Sequence, residues 1–143
     1  MDKILNGSRF VCTSDLIGLH LEPQPDKSIV GRIVMQPDHE GPPLHLHGGA
    51  SASLIDEAMG VAVWYAGYRV VAVNLNFSLK APVPLGIEIT VSGWVERAEG
   101  RKVFTAGKIT LPNGVIAVEG QGIFIEAPHL FDDHPDWEAL GSR

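Results

Sequence analysis

The segment from about Gly49 to Gly67 is predicted to form a helix that is apolar on nearly all sides. Its apolar positions occupy most of the helical circumference instead of a single stripe, and they include Leu54, Ile55, Ala58, Met59, Val61, Ala62 and Trp64. A helix of this kind is found where other elements cover it from several directions. The rest of the 143-residue chain must therefore supply elements that wrap this helix.

Strand-like segments lie on both sides of the helix in the sequence. They are rich in Val, Ile, Thr and Phe, are separated by turn residues, and run from Ser28 to Met35, Val70 to Leu79, Ile87 to Glu96, Lys102 to Leu111 and Gly114 to Ile125. A short early strand near Leu19 to Glu22 would be a sixth. This order predicts an α+β fold in which a long central helix is wrapped by a curved antiparallel sheet of five to six strands.

The segment VNLNFSL shows the strict alternation of a strand with one buried face. Val73, Leu75, Phe77 and Leu79 alternate with Asn74, Asn76 and Ser78. One apolar and one polar face are typical of antiparallel sheets. After this strand, the turn signals RAEGRK and Pro112-Asn113-Gly114 predict that the last strands form a meander.

Length and composition indicate one domain spanning residues 1–143, with a core of about 10–126 and an acidic peripheral tail at 127–143. The net charge of -6 and only 11 Lys and Arg argue against a nucleic-acid partner. The sequence shows neither a transmembrane run nor a signal peptide, so we expect a cytoplasmic protein without a membrane partner. The single cysteine, Cys12, excludes an internal disulfide and is interpreted as a packing residue.

The few basic residues are candidates for binding a phosphorylated substrate. Arg97, Arg101 and Lys102 fall within six positions, and Lys80 lies between two predicted strands. The alternative interpretation is that they are solvated hairpin charges.

Two glycines, Gly48 and Gly49, stand at the predicted helix entrance. The first N–H groups of a helix lack intrahelical acceptors and lie at the positive end of its dipole, so they can bind a developing oxyanion. Glycine there permits close approach to the backbone. The alternative is that the pair only makes a sharp turn from loop to helix.

Asp56 and Glu57 are adjacent and hence lie about 100° apart around the helix. The positions around Asp56 are mostly small, which leaves room for a ligand or a second helix, whereas those around Glu57 are bulkier and are expected to bury it under side chains. A buried Asp requires a partner or a function, because an unpaired buried carboxylate is costly.

Gly48 and Asp56 are eight positions apart, or about 12 Å along a helix. An oxyanion donor and a carboxylate acting on the same carbonyl must each approach within about 3 Å of it. Two helices packed antiparallel across a two-fold axis could bring them together, whereas one chain could not easily do so. The spacing thus favours a homodimer with two equivalent sites.

Residues His47 to Gly60 read H-G-G-A-x-A-x-L-x-D-E-A-x-G, and VNLNFSLKAPVPLG and VERAEGRK follow them. Together with FVC at Phe10 to Cys12 and GLHL at Gly18 to Leu21, this pattern resembles the hot-dog-fold acyl-CoA thioesterases of the PaaI-like branch, in the 4-hydroxybenzoyl-CoA thioesterase superfamily. The resemblance covers about residues 10–126.

The resemblance implies a hot-dog fold, a dimer with sites at the subunit interface, and often a tetramer of two dimers. It also implies that Gly48 supplies the oxyanion amide and that Asp56 attacks the thioester or activates water. We therefore predict hydrolysis of an acyl-CoA to free acid and CoA, with CoA entering as part of the substrate and no separate cofactor. The predicted catalytic set is completed by His47, which orders the helix entrance, and by Gly49 as a second amide.

Two positions depart from the family pattern. Gly41 stands where many relatives have Asn or Gln, and Ala72 stands where several have a Ser or Thr that holds the water. Ser53 or Asn74 could substitute in binding the substrate or the water. His39, His45 and His47 are unsuited to a metal because only His45 and His47 share a face and no carboxylate lies at a zinc-like interval, so no metal is expected.

Two other functions stay open. A hot-dog domain could bind an acyl-CoA without cleaving it, and the missing hydroxyl at Ala72 leaves room for that. An enoyl-CoA hydratase is less favoured because the Asp/His pair usual in that class is not evident. Trp64, Tyr65 and Tyr68 could line an aromatic pocket or belong to the core.

Overall fold

The computed structural model describes residues 7–131 and contains the predicted central helix, α1 (Gly48–Tyr65). The helix begins one residue before the predicted start and ends two residues before the predicted end. It ends there because Gly67 has a φ of 102° and donates its N–H to the Trp64 carbonyl, which breaks the helical hydrogen-bond pattern. Its buried residues cover most of the helical surface, as expected: Ser51, Leu54, Ile55, Ala58, Met59, Val61, Ala62 and Val63.

A six-stranded sheet wraps this helix, with every neighbouring pair of strands antiparallel. The strands are β1 (Glu22–Pro23), β2 (Ile29–Val34), β3 (Val70–Leu79), β4 (Glu88–Glu99), β5 (Lys102–Thr110) and β6 (Ile116–Glu126). Their order across the sheet is β1-β2-β4-β5-β6-β3. The predicted architecture and the terminal meander are thus confirmed, although the early strand forms at Glu22–Pro23 and β4 extends three residues further into the hairpin.

A row of glycines determines how closely α1 approaches the sheet. Gly93 on β4 pairs with Gly107 on β5, which pairs with Gly120 on β6. A Cβ on Gly93 would lie 2.6 Å from the Ala58 carbonyl carbon and from the Met59 nitrogen. Cβ atoms on Gly107 and Gly120 would lie 2.7 and 2.8 Å from a methyl carbon of Ile55. The three absent side chains therefore form a channel that receives the helix.

This contact fixes the rotation of α1 about its own axis. Ile55, Ala58 and Met59 are fully buried against the sheet. Because successive helical residues are about 100° apart, Asp56 and Glu57 are directed to the sides of the helix and not into the sheet. Both carboxylates are partly buried.

The apolar face predicted for β3 is not buried, and that expectation was wrong for a single chain. β3 is the last strand of the sheet, and its Val73, Leu75 and Leu79 side chains are 56%, 40% and 58% exposed. Phe77 alone of these four is partly buried, because its ring packs against Gly120. The alternation correctly predicted an apolar face, but the described part of one chain does not provide enough cover for it.

Replacing Gly93 with alanine is expected to lower the free energy of unfolding by about 1–3 kcal/mol, because the new methyl group would collide with the backbone of α1. Gly60→Ala is the matched comparison, since a Cβ there would lie 3.7 Å from the Phe124 ring and alanine is the better helix former. We expect Gly60→Ala to be neutral or stabilising. Urea denaturation of both variants tests this, and equal effects would contradict the proposed channel.

Candidate active site

The side chain of His47 caps the N-terminus of α1. Its Nδ1 accepts a hydrogen bond of 2.9 Å from the backbone N–H of Gly49. A ring nitrogen that accepts in this way is unprotonated, so the neutral ring carries its proton on Nε2. The predicted ordering of the helix entrance by His47 thus has a direct structural basis, and the Gly49 amide is already engaged.

The loop before the helix is folded so that it presents His47. The N–H of His47 donates to the His39 carbonyl at 2.9 Å, and the carboxylate of Glu40 accepts from the N–H of Leu44 at 2.7 Å. A Cβ on Gly41 would lie 2.7 Å from Cα of His47. Gly41 is therefore required for close backbone packing, which explains why a longer amide side chain is absent there.

The backbone N–H of Gly48 is available as a donor at this entrance. Within residues 7–131 it makes no hydrogen bond, whereas His47 accepts from Gly49. As the first residue of an 18-residue helix, Gly48 lies at the positive end of the helix dipole. The exposed Leu79 side chain of β3 is its neighbour, 3.1 Å from where a Cβ on Gly48 would stand.

Asp56 lies in a cavity of about 290 Å³ beside the middle of α1. The cavity is bounded by the helix, by strands β3 and β6, and by residues near the N-terminus; its lining comprises Gly7, Ser8, Asp56, Glu57, Gly60, Val61, Trp64, Ala72 and Phe124. Burial, and secondarily the negative charge of Glu57, raise the pKa of Asp56 above its ordinary value. A partly buried carboxylate in a mainly apolar cavity is a stronger base than one on the surface.

Glu57 contacts the N-terminal residues, an arrangement that the sequence did not predict. Both the backbone N–H and the hydroxyl of Ser8 donate to its carboxylate, the hydroxyl at 2.8 Å from Oε1. Cys12 Sγ lies 3.4 Å from Oε2. The expectation that Glu57 is buried under bulky helical neighbours was wrong, because it is residues 8–12 that cover it.

Ala72, at the position matched to a Ser or Thr in several family members, lines the Asp56 cavity but supplies no hydroxyl. Neither proposed substitute lines that cavity in one chain. Ser53 donates its hydroxyl to the Gly49 carbonyl at 2.9 Å. Asn74 follows a β-bulge after Ala72 and pairs with Ile123, which places it on the sheet face opposite Phe124. The substrate-binding roles of Ser53 and Asn74 stay predictions.

The four candidate phosphate-binding residues lie at two separate ends of the sheet. Lys80 follows the end of β3 near Gly48, and its Nζ is 2.7 Å from Glu119. Arg97, Arg101 and Lys102 surround the β4–β5 hairpin at the opposite end of β3, about 30 Å away at 3.3 Å per strand residue. One chain thus does not gather them into one patch.

The two arginines also have local partners. Arg97 Nε is 2.7 Å from Glu99, and its guanidinium lies 3.9 Å from the centre of the Phe104 ring. Arg101 donates to the Glu126 carbonyl at 2.9 Å. Lys102 is an exposed residue at the start of β5. Phosphate binding by any of them stays a prediction.

The other two histidines of the loop before α1, His39 and His45, contact loop backbone. His39 accepts from the N–H of Gln36 through Nδ1 at 3.0 Å and approaches the Leu16 carbonyl through Nε2 at 2.6 Å. Nδ1 of His45 lies 2.9 Å from the Pro43 carbonyl. Among the described residues, no group of three or more His, Cys, Asp or Glu side chains is arranged to hold a metal ion.

The aromatic residues at the end of α1 lie in different surroundings. Trp64 lines the Asp56 cavity and meets Phe131 edge-on, with ring centres 5.0 Å apart. Tyr65 is partly exposed, and Tyr68 packs against the core. Phe131 belongs to the segment predicted to be a peripheral tail; residues 132–143 of that segment lie outside the described residues.

The model of the thioesterase superfamily matches residues 45–117, just over half of the chain, and this stretch includes both Gly48 and Asp56. The chain belongs to the thioesterase superfamily. Acyl-coenzyme A thioesterase THEM4 of Xenopus laevis is 38% identical over 88 residues, which cover 61% of this chain and 40% of that protein. This superfamily member thus spans less than half of the length of that curated relative.

Solved structures show the same fold. The crystal structure of a thioesterase superfamily protein is 34% identical, with a TM-score of 0.75, over 77% of this chain and 57% of the other. The PaaI protein of E. coli has a TM-score of 0.71 at 17% identity, over 77% of this chain and 80% of its own. The predicted hot-dog fold and PaaI-like resemblance are confirmed. Within residues 7–131, no helix has the length and hydropathy that a membrane span requires.

His47→Ala is expected to lower the free energy of unfolding of this superfamily member by about 0.5–2 kcal/mol, because the Gly49 N–H loses its acceptor. His45→Ala serves as the control, since within residues 7–131 the only hydrogen-bond partner of that ring is the neighbouring Pro43 carbonyl. We expect His45→Ala to change stability by less than about 0.5 kcal/mol. Denaturant unfolding of both variants distinguishes loss of the helix cap from a general effect of replacing a loop histidine.

Proposed function

We propose that this chain is an acyl-CoA thioesterase that hydrolyses its substrate to the free acid and CoA. The observation that carries the proposal is the pair formed by an unengaged Gly48 N–H at the helix start and a partly buried Asp56 in an apolar cavity. The names of the curated relatives support the choice of an acyl-CoA as substrate. The reaction needs no cofactor or metal, because CoA is part of the substrate.

In the proposed reaction the Gly48 amide and the Asp56 carboxylate have different roles. The Gly48 N–H donates to the thioester carbonyl oxygen and stabilises the negative charge that develops there. Asp56 either attacks the carbonyl carbon, forming an anhydride that water then hydrolyses, or removes a proton from the attacking water. In both routes the C–S bond breaks, the sulfur of CoA leaves and gains a proton, and water supplies the oxygen of the acid.

The direction of the Asp56 pKa suits either role. Asp56 must be ionised to act, and burial together with the charge of Glu57 raises its pKa. The ionised form is consequently more basic than that of an exposed aspartate. The turnover rate should be maximal at pH values above the raised pKa of Asp56 and should decline as the pH falls through that pKa.

The proposal requires two copies of the chain. Gly48 and Asp56 lie on one continuous helix, about 12 Å apart along its axis. A homodimer with antiparallel helices places each helix start near the middle of its neighbour. The free edge of β3 and its exposed Val73, Leu75 and Leu79 support an interface on this side, and Leu79 lies beside Gly48. A tetramer of two such dimers and a cytoplasmic location stay predictions.

Binding without hydrolysis is the second candidate function. It is favoured by Ala72, which lines the cavity beside Asp56 without a hydroxyl to hold water. Tight binding of CoA with no thiol release would support it. A hydratase is not favoured, because the described lining of the cavity lacks a histidine to pair with Asp56.

Complementation between two inactive variants tests the shared site directly. Asp56→Asn removes the carboxylate charge, and Gly48→Pro removes the amide donor. Proline suits the first helical position, and His47, at φ -59° and ψ 134°, has the backbone conformation favoured before proline. Each variant alone should lose about 10²-fold or more in kcat.

Mixing the two variants under conditions that exchange subunits should restore about a quarter of wild-type turnover, since half of the dimers are mixed and each carries one intact site. Thiol release from an acyl-CoA panel gives the measurement, with Asp38→Asn as an exposed control. Unchanged turnover in Asp56→Asn would contradict the proposed mechanism. Inactive variants that fail to complement would place both groups of a site in one chain.

Leu75→Lys is expected to convert the dimer to a monomer, because it places a charge on the exposed apolar face of β3. Activity should fall in parallel, while the far-ultraviolet circular dichroism of the monomer is retained. Leu130→Lys is the control, since Leu130 is also exposed but lies in a short 3₁₀ helix (Pro128–Leu130) and not on the apolar face of β3. Light scattering reports the mass, and an active Leu75→Lys monomer would contradict the two-chain site.

A further inference from the structure

The N-terminal segment (residues 7–13) forms one side of the Asp56 cavity. Gly7 and Ser8 line the cavity, and the segment continues as a π-helical turn, Arg9–Thr13. Val11 and Cys12 of that turn are buried in the core. The proposed reaction as such assigns no role to this segment.

Glu57 fastens the segment to the helix. Its carboxylate accepts from both the N–H and the hydroxyl of Ser8, and the Ser8 oxygen in turn accepts from the N–H of Val11 at 3.2 Å. Two donors from one residue fix the direction as well as the distance of the contact. The carboxylate thus connects the middle of α1 to a turn 45 or more positions earlier in the chain.

Gly7 shows how closely the segment is seated. A Cβ there would lie 2.5 Å from Cys12 Sγ and 2.5 Å from Glu57 Oε2, and its φ is +64°. Any side chain would therefore push the segment away from Glu57. The absence of a side chain at Gly7 allows the segment to close the cavity at this point.

We propose that Glu57 is a specificity-determining residue: by holding the N-terminal segment against α1 it restricts the cavity to compact acyl groups, either short or aryl, a role that rests on the proposed thioesterase function. The size and chemistry of the cavity support this class. Its volume of about 290 Å³ lies at the lower end of the range of about 300–1,000 Å³ for small-molecule sites. Trp64 and Phe124 give it aromatic walls, and Phe131 packs edge-on against Trp64.

Releasing the segment should therefore admit longer acyl chains. Ser8→Pro removes both donors to Glu57 but leaves Glu57 and Cys12 in place. The φ of Ser8 is -79°, within the range that proline adopts. Ser8→Ala is the milder variant, because it removes only the hydroxyl, and it keeps the test available if the proline variant fails to fold. Ser14→Ala is the control, since Ser14 caps the other end of the turn away from Glu57.

Alkylation of Cys12 reports the position of the segment independently of turnover. Cys12 is the only cysteine of the chain and is buried, so iodoacetamide reaches it only when the segment lifts. Burial and the charge of Glu57 also raise the pKa of its thiol, which keeps labelling slow. Because Glu57 is retained in every serine variant, a faster reaction reports movement of the segment.

In Ser8→Pro we expect Cys12 to be alkylated about tenfold faster or more, in line with the loss of hydrogen bonds to a charged group. The ratio of kcat/KM for dodecanoyl-CoA to that for butanoyl-CoA should rise by about tenfold. The kcat/KM for benzoyl-CoA should change in the same way as that for butanoyl-CoA. Ser8→Ala should shift both readouts in the same direction by less. Ser14→Ala should leave both unchanged. Loss of thioester absorbance is the assay of turnover, because it needs no thiol reagent.

Three outcomes would overturn the inference. Unchanged alkylation in both Ser8 variants would show that Glu57 does not hold the segment. Faster alkylation with an unchanged acyl ratio would show that the segment does not bound the acyl cavity, while the proposed hydrolysis by Asp56 would stand. A wild-type protein that is inert toward every acyl-CoA would overturn the proposed function and this inference together.

Discussion

The contact between α1 and the glycine row of the sheet determines which residues of the helix face the candidate site. Gly93 lets the backbone of α1 lie directly on β4, and Gly107 lets the Ile55 side chain of α1 lie directly on β5, so that neither strand has room for a side chain at these positions. Because this contact fixes which residues face the sheet, it also fixes the directions of Asp56 and Glu57 on the flanks of the helix. A rotation of one residue about the helix axis would bury a carboxylate against apolar strands, at a cost of several kcal/mol.

Two adjacent carboxylates acquire different surroundings from this one orientation. Glu57 accepts two hydrogen bonds from Ser8, whereas Asp56 has no hydrogen-bond partner among residues 7–131 and faces mainly apolar groups. Hydrogen bonds stabilise an ionised carboxylate, and burial without them destabilises it. Glu57, which is bonded to the N-terminal segment, thus also places a negative charge beside Asp56. After burial, this charge is the second reason why the pKa of Asp56 is raised.

Local patterns predicted most of the fold because they depend on neighbours in sequence. The all-round apolar helix, the alternation in β3 and the Asn113-Gly114 turn each follow from a few adjacent residues. The glycine row could not be predicted from adjacent residues, because its members lie on three strands and only the strand register aligns them. The contact of Ser8 with Glu57 joins positions 49 apart and has no periodic signal. The glycines inside β4, β5 and β6, one in each of the first two strands and two in the third, were the available sign of a close backbone approach.

Three features of the single chain are incomplete on the same side of the molecule. The Gly48 N–H lacks an acceptor in the described part of the chain, the apolar residues of β3 are exposed beside it, and Asp56 lies in a cavity that no Gly48 of its own helix can reach. Each could be explained alone, by solvent, by an edge strand or by a buried acid. A second copy docked on β3 would complete all three at once, since it would cover Leu79, bring a carboxylate toward Gly48 and bring an amide toward Asp56. This shared requirement is the physical reason for proposing that assembly and hydrolysis depend on the same surface.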